Sequence, residues 1–423
     1  MTRPRVTAMG EAIADLLADP ATAPVGARTL TTDRQHLAYG PIGIALLHIE
    51  RAARGLGPWR HAHDWLAVAT SEPLTSGPDS HPFYGAPALA HAVACAVEHQ
   101  PGPYESALAA LDGKITTDTL RRLDAAHRRM DAGYLPQLAE FDTIRGLVGY
   151  GAYLLRRDPS GSTVRAVLDY CVRLVQPVSL KDEILPGWWT PSGPSGRPDE
   201  RFPGGHGNNG LAHGVGGVLS FLALAARRGT FVPGHFDAMR SVLAWLDRWR
   251  EPTGVGIAWP YWVTRAELRD HRLAPSGLLR PSWCYGTAGL ARARQLAARA
   301  LGDDALQAES ENALATALTD PLQLKATSDN GLCHGFAGLA HLASRVAEDT
   351  TGPMRAQLRA AIPALTASIC PPGTDPHDAA KAAMEDEETG PGFLNGAAGT
   401  ALALLVTTTT PPCSAWDSCL LVA

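Results

Sequence analysis

Cysteine is scarce. Seven residues (Cys95, Cys171, Cys284, Cys333, Cys370, Cys413 and Cys419) are scattered over a chain of 423. They are too sparse and too odd in number for a disulfide framework, so a reducing, cytoplasmic setting is expected. Positive charge is also short. A formal net charge of −5 argues against a protein that grips nucleic acid by neutralising phosphates. Long apolar runs are missing: the nearest, Leu211 to Ala226, contains His213 and runs into Arg227-Arg228. No membrane insertion is expected. The first residues, Met1-Thr2-Arg3-Pro4-Arg5-Val6-Thr7, lead to Glu11 and Asp15 without an apolar core, so no signal peptide is expected here. Aromatics are only 6%. Alanine and leucine abound instead, which suits close-packed helices.

Glycine, by contrast, is plentiful at 42 residues, and much of it is ordered. Seven copies of a Gly-x-x-Gly unit start at Gly40, Gly85, Gly146, Gly214, Gly286, Gly335 and Gly396, and only the second lacks its last glycine, with Ala88 there. Each precedes a mostly apolar stretch of helical character, such as Ile44-Ala45-Leu46-Leu47. Units spaced roughly 45 to 70 residues apart are the mark of a repeat architecture. The residue before each first glycine is Tyr39, Tyr84, Arg145, His213, Tyr285, His334 or Asn395. All seven carry a polar tip, which predicts a ring of side chains facing a shared wet space.

Two of the repeats carry more. Trp283-Cys284-Tyr285-Gly286 and Leu332-Cys333-His334-Gly335 put a cysteine at the same place in successive copies. If neighbouring copies stack, Cys284 and Cys333 approach each other with His334 beside them. Two thiolates and an imidazole make a zinc set with one position open, the pattern of a catalytic site.

Between the repeats lie amphipathic stretches, apolar at helical spacing and charged opposite. Ser162 to Val175, Phe236 to Arg250, and Met354 to Ile362 (ended or kinked by Pro363) are three, and residues 8–18 form another at the start. The reading is all-α: an α/α toroid of seven inner and seven outer helices in a single domain over residues 1–423. Every inner N-terminus then points to one mouth. Two long connections, 176–212 and 251–282, are rich in proline or glycine and read as non-helical with short extended pieces. Thr407–Pro412 reads as a loop, and Trp416 to Ala423 as an apolar tail that docks back.

These motifs resemble the lanthionine synthetase C-like family, the class I lanthipeptide cyclases and their relatives. The likeness rests on Trp283-Cys284-Tyr285-Gly286, Cys333-His334-Gly335, Ala212-His213-Gly214 and the seven glycine-headed helices, and it covers nearly the whole chain. It implies one Zn2+, held by Cys284, Cys333 and His334. It implies addition of a precursor-peptide Cys thiol to dehydroalanine or dehydrobutyrine, closing a (methyl)lanthionine thioether ring. The family's acid/base His falls on His213, its active-site Asp on Asp142, and its Arg and Tyr on Arg280 and Tyr285. Asp142 would orient His213 or take the thiol proton; before Thr143-Ile144 it also reads as a plain helix cap. Arg280 or Tyr285 would steady the enolate oxygen. Partners implied are a dehydrated precursor with leader and core, a dehydratase and an exporter. Two other readings stand beside this one: addition of a free thiol of the glutathione kind to dehydroamino acids, and a non-catalytic zinc scaffold of a modification complex. His206, Asn208 and Asn209 read as loop formers, and His91 and His341 as packing or solvated residues.

Overall fold

The computed structural model describes residues 2–180, 183–275, 279–386, 389–408 and 411–423. Among these the chain forms nineteen α-helices, two short 3-10 helices and three two-stranded antiparallel pairs. The expected all-α class holds. Among the described residues no helix is long and apolar enough to cross a membrane.

All seven glycine-headed helices are present. They span Pro41–Ala53, Ala86–Val97, Leu147–Arg157, Val215–Arg227, Thr287–Leu301, Phe336–Asp349 and Ala397–Thr408, each starting at the residue after its first glycine. The reason is local and steric. Gly85 and Gly286 cap their helices with φ of +72° and +92°, a region that side chains with a Cβ avoid. In five repeats the second glycine faces the carbonyl six residues before it. A Cβ would stand 2.1 Å from the Leu37 oxygen at Gly43, 2.6 Å from that of Leu211 at Gly217 and 2.1 Å from that of Trp283 at Gly289. At Gly338 it would stand 2.1 Å from the Leu332 oxygen, and at Gly399 1.7 Å from that of Phe393. The entry loop is thus folded down onto the first turn of its own helix. In the second repeat Ala88 is fully buried in an intact helix, so the glycine serves the loop's close approach and not the helix.

By its packing the chain forms two compact units. The first comprises residues 1–115 and 327–417, the second residues 116–326 and 418–423. In the first, the sixth, seventh, first and second repeat helices pack in that order. Gly352–Ile369 backs the sixth, Trp59–Ala69 the first, and the N-terminal helix Thr2–Leu16 the seventh. The start of the chain therefore supplies the amphipathic partner for the last repeat. Residues 91 and 341 are buried rather than solvated: His91 Nε2 lies 3.0 Å from the Trp416 carbonyl, and His341 Nε2 lies 2.7 Å from Asp417, which also pairs with Arg345.

In the second unit the third, fourth and fifth repeat helices pack in a row, with Ser162–Val175, His235–Arg248 and Asp304–Ala317 against them. Val215 to Ala225 and Thr287 to Ala298 are buried at every position. Ser162–Val175 buries one stripe (Val164, Val167, Leu168, Cys171, Leu174) and exposes Arg165, Asp169 and Arg173. Each buried Val or Leu contributes roughly 1.5–3 kcal/mol relative to exposure. The end of the chain docks here as expected: Trp283 Nε1 donates to the Leu420 carbonyl at 2.9 Å and Ser220 Oγ to that of Leu421 at 2.7 Å.

Four expectations are corrected. Pro363 does not end its helix, which runs Gly352–Ile369. Pro363 is exposed, so the carbonyl left without an N–H partner faces water. The 251–282 connection holds, besides its short strands, a helix over Arg265–Asp270 with a complete capping box between Thr264 and Glu267. His206 and Asn208 are strand residues, not loop formers: His206–Asn208 pairs antiparallel with Trp262–Thr264. Of the Thr407–Pro412 loop, Thr407 and Thr408 still belong to the last helix, and Thr409 and Thr410 lie outside the described residues.

Candidate active site

The loops that enter neighbouring repeat helices are laced by main-chain hydrogen bonds. In the second unit Thr143 N–H donates to the Ala212 carbonyl at 3.0 Å, and Ala212 N–H to that of Cys284 at 3.4 Å. In the first, Cys333 N–H donates to the Leu394 carbonyl at 2.8 Å, Leu394 N–H to that of Ala38 at 3.0 Å, and Leu37 N–H to that of Phe83 at 2.8 Å. Ala38, Phe83, Ala212, Cys284, Cys333 and Leu394 share one position, two residues ahead of the first glycine. Next to each lies a pre-glycine residue. Tyr39 and Arg145 are exposed, and Tyr84, His213, Tyr285, His334 and Asn395 are partly exposed, while every glycine that follows them is buried. Polar tips thus emerge at the heads of otherwise buried helices in both units.

In the second unit Asp142 and His213 meet. Asp142 is 2% exposed. Its Oδ1 accepts from Arg145 N–H at 2.6 Å and Gly146 N–H at 2.9 Å. Its Oδ2 lies 2.7 Å from His213 Nδ1. One carboxylate oxygen thus holds the turn ahead of the helix, whose N-cap is Gly146 and not Asp142, and the other holds the imidazole. A carboxylate on Nδ1 places that nitrogen's proton between them and turns Nε2 outward. Burial works against the charged imidazole, but the bond to and the charge of Asp142, with a further contribution from Cys284, outweigh it and hold the His213 pKa above its ordinary value.

Tyr285 lies beside this pair, its ring 6.3 Å from that of His213 and 5.4 Å from Tyr261. Its hydroxyl accepts from Asn208 Nδ2 at 3.3 Å. Arg280 is fixed through its backbone: its N–H donates to the Tyr261 hydroxyl at 2.7 Å, and that hydroxyl donates to the Arg280 carbonyl at 3.2 Å. Arg280 Nε is buried with no partner among the described residues. Cys284 is 5% exposed, with Ser282 Oγ 3.6 Å from its sulfur.

In the first unit the same carboxylate–histidine device recurs. Asp329 Oδ1 accepts from Gly331 N–H at 2.9 Å and its Oδ2 lies 2.6 Å from His334 Nδ1. Sequence reading missed Asp329, although a carboxylate five residues ahead of a candidate ligand was a signal. Among the described residues no group of three or more His, Cys, Asp and Glu side chains is gathered at metal-holding distance. The three candidate ligands are divided, Cys284 in the second unit and Cys333 with His334 in the first. Their chemistry fits zinc nonetheless. All seven cysteines are thiols, and a histidine tied at Nδ1 to a carboxylate is the usual form of a metal-ligating imidazole.

Seven glycine-headed helices, paired amphipathic helices and this loop chemistry define a class. The chain belongs to the lanthionine synthetase C-like family, whose model matches residues 32–421. It is similar in fold to nisin cyclase, with a TM-score of 0.73 and 20% identity over 92% of each chain. In sequence it is similar to the nisin biosynthesis protein NisC of Lactococcus lactis subsp. lactis, 26% identical over 146 residues. That match spans 34% of this chain and 34% of the relative, about a third of its length.

Proposed function

We propose that this protein is a zinc-dependent lanthionine cyclase, adding cysteine thiols of a dehydrated precursor peptide to dehydroalanine or dehydrobutyrine. The observation that carries the reading is the doubled carboxylate–histidine pair, Asp142–His213 and Asp329–His334, each on the pre-glycine histidine of a repeat. Membership of the lanthionine synthetase C-like family supports it. The reading takes residues 1–423 as one domain, which the span of the family match supports.

Cys284, Cys333 and His334 would hold the zinc, with Asp329 on the His334 Nδ1 leaving Nε2 as the nitrogen that could ligate it. When bound, zinc supplies an ionised nucleophile from a substrate thiol whose own pKa is roughly 8.5. The remaining work falls to the chain. As the sulfur–Cβ bond forms, the π pair of the dehydro residue moves onto its α-carbon and carbonyl oxygen. Arg280 and Tyr285 are the donors for that oxygen; one well-placed donor is worth about 3 kcal/mol. His213 delivers a proton to the α-carbon from Nε2, and Asp142 holds the ring and balances its charge. The thiol proton is lost and the α-proton gained, so the product has the mass of the reactant.

The test follows from that balance. On incubation with a dehydrated precursor, alkylatable thiols should disappear without a change in peptide mass. Thiols that persist would refute the cyclase reading.

A further inference from the structure

Resting on the cyclase reading, we propose that Asn208, with His206 behind it, is a positioning residue that makes the Tyr285 phenol a hydrogen-bond donor toward the reacting centre.

Asn208 is fully buried at the end of a strand whose cross-strand partner is Trp262. The Trp262 ring stands edge-on to Tyr285 at 6.0 Å. Three polar groups fix the carboxamide. Its Oδ1 accepts from Gly210 N–H at 3.0 Å, so a flip would set an NH2 group against an N–H. Nδ2 therefore faces His206 Nε2 and the Tyr285 hydroxyl, both at 3.3 Å.

The direction of these bonds follows from His206. Its Nδ1 lies 2.8 Å from the Ser192 carbonyl, and a carbonyl only accepts, so Nδ1 carries the ring proton. His206 is fully buried, and burial pushes its pKa down to about 4. The ring is neutral and Nε2 is an acceptor. One amide proton of Asn208 goes to His206, and the other goes to the phenol oxygen. Tyr285 thus accepts on the Asn208 side and directs its own proton away from it. A buried amide with both N–H groups assigned holds the phenol in the orientation that a developing enolate oxygen requires. The network also links the 176–212 and 251–282 connections to the head of the fifth repeat.

The test is a double-mutant cycle on the full-length protein, read as the rate of thiol loss from dehydrated precursor. Tyr285→Phe should lower kcat by roughly 10²–10³. Asn208→Ala should lower kcat about tenfold in the native background and less than about twofold in the Tyr285→Phe background. The isosteric Asn208→Asp carries only acceptors, so it takes the phenol's proton and should match Tyr285→Phe in kcat, with KM and zinc content unchanged and a lower melting temperature from the buried carboxylate facing His206. Equal losses of Asn208→Ala in both backgrounds would overturn the proposal. So would an Asn208→Asp variant at full rate, which decides the matter if the alanine variant fails to fold. An unmodified protein that consumes no thiols would sink the cyclase reading instead.

Discussion

Asp142 bonds the ring nitrogen of His213 at 2.7 Å with one carboxylate oxygen and the turn ahead of the third repeat helix with the other. The two repeats are thereby tied through a side chain as well as through the Thr143–Ala212 main-chain bond.

Asp142→Asn separates the two tasks. The amide oxygen can still accept from Arg145 and Gly146, but the NH2 group would face His213 Nδ1 and shift its proton to Nε2. The cyclisation rate should fall roughly 10²–10⁴-fold with little change in melting temperature. A variant working at the native rate would remove the pair from the mechanism.

Asp329→Asn tests the matching pair. Its oxygen can keep the Gly331 bond, while His334 loses its carboxylate. Zinc affinity should drop about 10–100-fold, the usual effect of losing a group behind a ligand, measured by competition with a chromophoric chelator. Native affinity would show that Asp329 is only a turn residue.

Gly338→Ala probes the close approach behind Cys333. The added methyl would meet the Leu332 carbonyl at 2.1 Å. Overpacking of this kind costs typically 1–3 kcal/mol, read as a drop in unfolding midpoint. Gly113→Ala is the contrast: it lies exposed in the helix Glu105–Asp131 with nothing within 4 Å of its Cβ position. That change should stabilise by about 0.5–1 kcal/mol.

Acid sensitivity follows from two buried neutral histidines. Burial pushes His48 and His206 each down to about 4; His48 is held by the Leu17 carbonyl at 2.7 Å, with His61 and Arg51 adding to its depression. In the unfolded chain both titrate near 6.5. Their lowered folded values mean that stability is fully present above about pH 6.5 and is lost as the pH falls toward about 4, on the order of 3 kcal/mol for each. Unfolding free energy should decline as the pH falls through that window, while His213, held above its ordinary value, adds a separate loss as the pH rises through its raised pKa. His48→Gln should flatten part of the slope, and an unchanged slope would contradict the assignment.

The architecture was legible because its cause is local. A glycine that must clear a carbonyl six residues back leaves a fixed mark, as at Gly43, Gly289 and Gly338, and the apolar run behind it is a buried helix at every copy. His213 and Asp142 were legible through the resemblance, but their bond was not, since 71 residues separate them. Asp329 was missed because a loop carboxylate has no periodicity to betray it. The His206–Asn208 strand was missed because three residues between glycines and prolines carry no alternation, and only its partner Trp262–Thr264, far along the chain, makes it a strand. Pro363 misled because an exposed position in an outer helix lets water satisfy the carbonyl that proline leaves unmatched.

Zinc content is the most direct measurement of all. The purified protein should carry one zinc per chain, and Cys284→Ala and Cys333→Ala should each lose it while keeping their helical signal, with the exposed Cys413→Ala retaining it. Native zinc content in either of the first two variants would contradict the account.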